Sequence, residues 1–295
     1  MKKTALIGIA NDTLQIIQNG FYINQQQEKI DISTAQKKAI DNSIHYKEDE
    51  FEAMFTKRNQ LFATQTDFDT HFEVIEASTL GFCSHLSKTK NKIFCLNFAS
   101  AKHEGGGFLG GAQAQEESLA RSSSLYPCLT KFHYQFYEMH KSLKNSYYTS
   151  DMIFSPFVPI FKDDNGNLLD NFYEISFLTS PAVNVGALRW HFALAQTKRG
   201  IYNEEKYKRI MTERIERILT IAYLNDYQEI VLGAWGCGAF HNDPREVAQL
   251  FADLLLDNQA IFKNKFKNIY FAIYAAHKND KNIDFFKNIF ENSTK

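Results

Sequence analysis

Residues 92–98 read KIFCLNF, and the chain continues into a loop with five glycines between Gly105 and Gly111. The run is too short for a typical helix, and its unbroken apolar character is typical of a strand buried on both faces. Two later segments share this character, residues 230–235 (IVLGAW) and residues 269–276 (IYFAIYAA). Helical patterns lie between the runs, so the sequence predicts an α/β sandwich.

Helical spacing is clearest on either side of the second run. The apolar residues that recur there at i, i+3 and i+4 are Ile215, Ile218, Leu219 and Ala222 before the run, and Val247, Leu250, Phe251 and Leu254 after it. Residues 152–161 and 172–178 are expected to be strands, and Asn165-Gly166 between them indicates a hairpin.

The N-terminal part of the chain has a different pattern. Apolar residues at helical spacing predict a first helix that stops at Gly20, and residues 31–34 (DIST) predict the start of a second. We therefore expect residues 1–85 to form a helical portion packed on a core of residues 86–295, in one compact domain overall.

Charge and cysteine content exclude several classes of protein. The 295 residues contain 33 Lys+Arg and 34 Asp+Glu, a formal net charge of -1, so no strong field attracts nucleic acid or a membrane. The four cysteines lack metal-ligand spacing, which favours reduced thiols and a cytoplasmic location. The apolar stretch of residues 5–10 is short for a signal peptide. Delivery into another cell remains open.

The glycines are unevenly distributed. Eight of the 14 lie in residues 105–111 and 233–238, and each segment connects a predicted strand to a predicted helix. Ligands bind at such strand ends in α/β proteins, where free backbone N–H groups and a helix N-terminus suit a phosphate. A tight turn without a ligand is the alternative for either segment alone. Neither segment is a Walker A loop or a well-placed G-x-G-x-x-G fingerprint.

Two adjacent acids, Glu116 and Glu117, follow the first glycine segment. Acids beside an anion site are unfavourable unless one is protonated or binds sugar hydroxyls, and a glycosidic leaving group requires an acid with a raised pKa. The alternative is a solvated pair in the first turn of a helix, where the helix dipole favours it.

The glycines Gly105, Gly106 and Gly107, followed by Gln115, Glu116 and Glu117, resemble the signature of poly(ADP-ribose) glycohydrolases, which are macrodomain enzymes. Residues 97–129 and 232–248 are similar to the microbial branch of that family, as are residues 179–184 (TSPAVN). The resemblance implies a three-layer α/β/α macrodomain-like sandwich with a mixed central sheet and an N-terminal helical extension.

The resemblance also implies residue roles. Glu117 would be the catalytic acid that protonates the leaving oxygen, and Glu116 would bind ribose hydroxyls. The expected ligand-binding residues are Asn97, Ser100, Gly105, Gly106, Gly107 and Gln115 on the ribose side, Asn184, and Gly236, Cys237, Gly238, Ala239 and Phe240 around the diphosphate. No metal or cofactor is expected. Glu104 and His241 depart from the family pattern, in which proline and glycine are common at these positions, and the adenine contacts stay unassigned.

The implied activity is hydrolysis of the bond at the anomeric carbon of the distal ribose. Such an enzyme would release ADP-ribose from poly(ADP-ribose) or from ADP-ribosylated protein. The alternatives are a mono-ADP-ribosyl-protein hydrolase, for example of arginine linkages, a non-catalytic ADP-ribose-binding reader, and an α/β domain that does not bind ADP-ribose.

Overall fold

The computed structural model describes residues 1–65, 67–90, 92–143, 145–194, 202–275 and 281–291. Within these ranges the helices are α1 Lys3–Asn19, α2 Ser33–Asp41, α3 Phe51–Phe62, α4 Thr79–Leu86, α5 Gln115–Ser122, α6 Leu125–Thr130, α7 Met139–Ser142, α8 Val185–Leu194, α9 Glu204–Leu224, α10 Pro244–Leu255 and α11 Asn282–Phe290. The strands are β1 Phe21–Ile23, β2 Lys29–Asp31, β3 Ile44–Tyr46, β4 His71–Glu76, β5 Ile93–Phe98, β6 Met152–Lys162, β7 Leu168–Ser180, β8 Glu229–Leu232 and β9 Asn268–Ile273.

The central sheet has seven strands in the order β3-β6-β7-β5-β8-β9-β4. Strands β7, β5, β8, β9 and β4 pair in parallel, whereas β3, β6 and β7 pair antiparallel. The mixed central sheet predicted from the sequence is thus confirmed. Strands β1 and β2 form a separate antiparallel pair.

Helices cover both faces of this sheet. Side chains of a strand alternate between faces, so β5 serves two cores. Phe94 and Leu96 pack with residues of α3, α9, α10 and α11, and Ile93 and Cys95 pack with residues of α4, α5 and α6. The structure is therefore the expected α/β/α sandwich, and the strands buried on both faces explain the unbroken apolar runs.

The three apolar runs correspond to β5, β8 and β9 with shifted bounds. Strand β8 ends at Leu232, because residues 233–235 leave the sheet and begin the second glycine segment. Strand β9 ends at Ile273, and Ala276, the end of the predicted run, lies outside the described residues. The predicted hairpin is formed by β6 and β7, with register shifts along the pair.

The N-terminal 86 residues form helices α1 to α4 and also strands that the sequence analysis did not predict. Gly20 ends α1 in the left-handed conformation, with a φ of 73°. Strands β3 and β4 are the two edges of the seven-stranded sheet. Residues on both sides of position 85 therefore share one sheet, and the division there remains a prediction. No helix in the described ranges has the length and apolar character that a membrane span requires.

Candidate active site

A cleft of about 1120 Å³ opens at the carboxyl ends of the parallel strands. Its walls include residues 76–80 after β4, residues 98–100 at the end of β5, residues 234–240 except Cys237 after β8, and residues 272–275 at the end of β9. Parallel strands place the loops that follow them at one edge of a sheet, which is where α/β proteins bind ligands. The volume exceeds the roughly 300–1,000 Å³ that is usual for a drug-sized ligand.

Gln115 fixes the start of α5 against the end of β5. Its side-chain Oε1 accepts a hydrogen bond of 2.8 Å from the backbone N–H of Phe98, and its Nε2 donates one of 2.8 Å to the carbonyl of Leu96. Because these bonds anchor the first residue of the helix, the next two residues, Glu116 and Glu117, lie in the wall of the cleft.

Glu116 is buried and bound on both carboxylate oxygens. The backbone N–H of Ser100 donates to Oε2 at 2.6 Å, and Nδ2 of Asn97 donates to Oε1 at 3.2 Å. Burial raises the pKa of Glu116 well above its usual value, the bond from Ser100 opposes this rise, and the charge of Glu117 adds to it. The carboxyl group is therefore fixed in position and costly to ionise.

Glu117 lies half-buried beside the first glycine segment. The backbone N–H of Gly107 donates a hydrogen bond of 2.9 Å to Oε1 of Glu117. Gly106 has a φ of 62°, and a Cβ atom there would lie 2.3 Å from the same oxygen. Glycine at 106 thus allows a backbone conformation that side chains disfavour and leaves room for the Glu117 carboxylate.

The second glycine segment presents unpaired backbone donors. In the part of the chain that the structure describes, the N–H groups of Gly236, Gly238, Ala239 and Phe240 donate to no protein acceptor, whereas that of His241 bonds to Gly238. All four residues with unpaired donors line the cleft. Consecutive free N–H groups in a turn before a helix form an anion-binding concavity.

The structure brings most of the predicted site residues to the cleft. The eight that line it are Ser100, Gln115, Glu116, Glu117, Gly236, Gly238, Ala239 and Phe240. Asn97 lies buried and bonded to Glu116, and Gly106 and Gly107 lie against Glu117, whereas Gly105 lies against Phe108 and Ala120. None of these three glycines is in the cleft lining of the described residues.

Asn184 and Cys237 are not part of the cleft lining of the described residues. Asn184 Oδ1 accepts a hydrogen bond of 2.8 Å from the backbone N–H of Ala187, in the first turn of α8. Their predicted ligand contacts stay predictions.

One protein family matches this chain in both sequence and structure. The family model "Microbial-type PARG, catalytic domain" matches residues 10–163. The crystal structure of poly(ADP-ribose) glycohydrolase (PARG) from Thermomonospora curvata is 35% identical and covers 97% of this chain and 100% of its own, with a TM-score of 0.87. The chain belongs to the microbial-type PARG family. The family predicted from the sequence is confirmed, as is the macrodomain-like fold.

Two other PARG structures contain ligands. The T. curvata enzyme bound to the inhibitor ADP-HPD is 34% identical, covers 97% of this chain and 99% of its own, and has a TM-score of 0.85. The Deinococcus radiodurans enzyme in complex with ADP-ribose is 31% identical, covers 87% of this chain and 97% of its own, and has a TM-score of 0.76. Among curated proteins, none matches the chain.

Two residues that depart from the PARG pattern have defined surroundings. Glu104 Oε1 lies 2.5 Å from Nδ1 of His133, within hydrogen-bond distance, and this contact connects the glycine segment to the helical turn at His133–Glu138. His241 has a φ of 56°, and its ring lies against Gly186, where a Cβ atom would be 2.5 Å from Cδ2. Both side chains thus have local structural contacts.

Among the cleft residues that sequence reasoning missed are Glu76, Asp164 and Tyr274. Asp164, at the tip of the β6–β7 hairpin, accepts hydrogen bonds from the hydroxyls of Ser78 and Ser118. Glu76 ends β4, and Tyr274 follows β9 with 68% of its surface exposed. No local motif marks them, because only the sheet order places their loops beside α5. Among the described residues, no cluster of acids, histidines and cysteines could bind a metal ion.

Proposed function

We propose that this PARG-family chain hydrolyses the bond at the anomeric carbon of the distal ribose in poly(ADP-ribose) and releases ADP-ribose. One observation carries the proposal: Glu117 and the unpaired backbone donors of residues 236–240 line the same cleft. A general acid for a glycosidic bond and an anion site for a diphosphate are therefore available to one ligand.

The diphosphate binds along the second glycine segment. The free N–H groups of Gly236, Gly238, Ala239 and Phe240 supply hydrogen bonds to phosphate oxygens, and charge-assisted bonds of this kind are stronger than neutral ones. Helix α10 begins at Pro244, and its positive end adds to the field at the loop.

Glu117 acts as the general acid. It protonates the oxygen as the bond from that oxygen to the anomeric carbon breaks. A water oxygen then bonds to that carbon, and the Glu117 carboxylate accepts the proton that the water loses. The hydrogen bond from Gly107 to Oε1 orients the carboxyl group and leaves Oε2 for the substrate. Glu116, fixed by Ser100 and Asn97, accepts hydrogen bonds from ribose hydroxyls and positions the sugar.

The adenine end of the substrate lies at the opposite part of the cleft, near Glu76 and Tyr274. The ring of Tyr274 is exposed and can stack on a purine, and the carboxylate of Glu76 can accept a hydrogen bond from an exocyclic amino group. The substrate class is thus a nucleoside diphosphate sugar that is attached to a polymer or to a protein. A cytoplasmic location stays a prediction.

The test compares wild type with Glu117→Gln on poly(ADP-ribose) and on mono-ADP-ribosylated protein. The control is Glu205→Gln, because Glu205 is an exposed glutamate in the first turn of another helix, α9. We expect the Glu117 variant to lose about 10²-fold or more in kcat, as for other general acids, and to retain ADP-ribose binding.

Full turnover by Glu117→Gln would show that Glu117 is not the general acid. Turnover of the mono-ADP-ribosylated protein alone would replace polymer hydrolysis with the narrower activity. Binding of ADP-ribose without any turnover by wild type would make the protein a reader.

A further inference from the structure

Arg121 is a buried cation in the wall of the main cleft. It lies on α5 four residues after Glu117, so the two side chains project from the same face of the helix. Both residues line the cleft, although only 5% of the surface of Arg121 is exposed. Because a buried charge costs free energy unless its surroundings compensate it, an arginine at this position must have compensating partners.

The guanidinium of Arg121 bonds to the residue that follows the first glycine segment. Its Nη1 donates a hydrogen bond of 2.6 Å to the backbone carbonyl of Ala112. Burial lowers the pKa of Arg121, and the charge of Glu117 opposes this lowering. Arg121 thus holds the backbone directly and interacts with Glu117 through its charge.

The same stretch of backbone bonds to Glu117. The N–H of Gly107 donates to Oε1 of Glu117 at 2.9 Å, and the N–H of Ala112 donates to the carbonyl of Gly107 at 3.1 Å. A Cβ atom at Gly107 would lie 2.9 Å from the Cβ of Ala112, so these two residues are in close contact. Together with Arg121 they form a closed ring of three hydrogen bonds and one turn of α5.

The end of α5 that carries Arg121 is fixed by α1. The hydroxyl of Thr13 donates a hydrogen bond to the backbone carbonyl of Arg121, and the buried Nζ of Lys162 donates one of 2.7 Å to that hydroxyl. The guanidinium therefore projects from a fixed base. Its removal would free residues 107–112 to move relative to α5.

We propose that Arg121 is a positioning residue for the general acid, which it serves by holding residues 107–112 against α5 so that the N–H of Gly107 stays bonded to Glu117. The inference rests on the proposed function. Because the hydrogen bond of Arg121 goes to the backbone, it orients the acid through Gly107 and leaves Oε2 of Glu117 for the substrate.

The test measures kcat on poly(ADP-ribose), the Kd for ADP-ribose and the Tm of Arg121→Met and Arg121→Lys. Methionine has no donor, whereas the lysine ammonium can still donate to the carbonyl of Ala112. Since a misplacement of about 1 Å can cost about 10²-fold in rate, we expect Arg121→Met to lose about tenfold or more in kcat. Its Kd should stay unchanged, because the diphosphate-binding segment is not part of the ring, and Arg121→Lys should recover most of the loss in kcat.

Arg58→Met is the matched control. Arg58 is also a buried arginine, but its guanidinium bonds to Glu216 and Thr220 of α9, and it is not part of the cleft lining of the described residues. This variant should lower the Tm and leave kcat unchanged, which separates a loss of stability from a loss of positioning.

Arg121→Met in the Glu117→Gln background tests whether Arg121 acts through the acid. The change should cost about tenfold in kcat in wild type and almost nothing in Glu117→Gln, because residues that act as a unit are not additive. An equal loss in both backgrounds, or a wild-type kcat for Arg121→Met, would overturn the inference. If the methionine variant does not fold, Arg121→Gln replaces it with the same expected loss, because its shorter side chain ends before Ala112.

Failure of the proposed function gives a different result. In that case Glu117→Gln alone would keep full turnover, or wild type would release no ADP-ribose from polymer.

Discussion

The backbone N–H of Gly107 donates a hydrogen bond of 2.9 Å to Oε1 of Glu117, which ties the first glycine segment to the proposed catalytic acid. Gly106, the preceding residue, lies so close that a Cβ atom would be 2.3 Å from that oxygen. Gly106 and Gly107 therefore fix the position of the Glu117 carboxylate.

Gly106→Ala should inactivate the enzyme while leaving it folded. The added Cβ would displace the Glu117 carboxylate, and a misplacement of about 1 Å can cost about 10²-fold in rate. The φ of 62° adds strain of about 1 kcal/mol or more to the folded state of the variant.

The measurements for Gly106→Ala are kcat on polymer and the Tm. Gly110→Ala is the control, because a Cβ there meets no atom within 4 Å, and equal activity of both variants would contradict the prediction.

The buried carboxyl of Glu116 should make stability depend on pH. Its pKa in the folded state is raised by burial, so its contribution to stability is full below the ordinary glutamate pKa of about 4.5 and is lost as pH rises through the folded-state pKa. We expect Glu116→Gln to lack this decline in the free energy of unfolding above about pH 4.5. Urea unfolding at several pH values measures it, and parallel curves for the two proteins would refute it.

The second glycine segment depends on contact between Gly236 and Asn242. A Cβ at Gly236 would lie 2.0 Å from Nδ2 of Asn242, so Gly236→Ala should weaken ADP-ribose binding by distorting the loop. Gly236→Ala with Asn242→Ala should recover part of the affinity, because the clash with Asn242 is relieved, while the approach to within 2.6 Å of the Ala182 Cβ and the strain of a φ of 78° remain. Calorimetric Kd values test this. No recovery in the double variant would contradict the prediction and assign the loss to backbone strain and the contact with Ala182.

Gln115→Ala should lower both stability and turnover. The variant breaks bonds to the N–H of Phe98 and the carbonyl of Leu96, at about 0.5–1.5 kcal/mol each. Without them, α5 is released from β5 and both glutamates shift. Gln249→Ala, which removes an exposed bond on α10, should change neither quantity. A stable Gln115 variant with normal kcat would show that α5 is positioned by its other contacts.

The sequence predicted those secondary-structure elements whose formation depends on residues close together in the chain. The apolar run before Gly105 became β5, since a strand between two helical layers must be apolar on both faces. Gly20 ends α1 because glycine tolerates the left-handed conformation there. Strands β3 and β4 were missed, because edge strands are short and partly exposed and so carry no continuous apolar run.

The sequence by itself determined the layered fold, the family, the two glycine segments and the acid pair that follows the first of them, because each of these is visible as a pattern of residues close together in the chain. Only the tertiary structure decided that Glu76, Asp164 and Tyr274 share a cleft with Glu117, and that Asn184 caps a helix outside it. The order of strands in the sheet, which depends on packing between residues far apart in the chain, sets which loops meet.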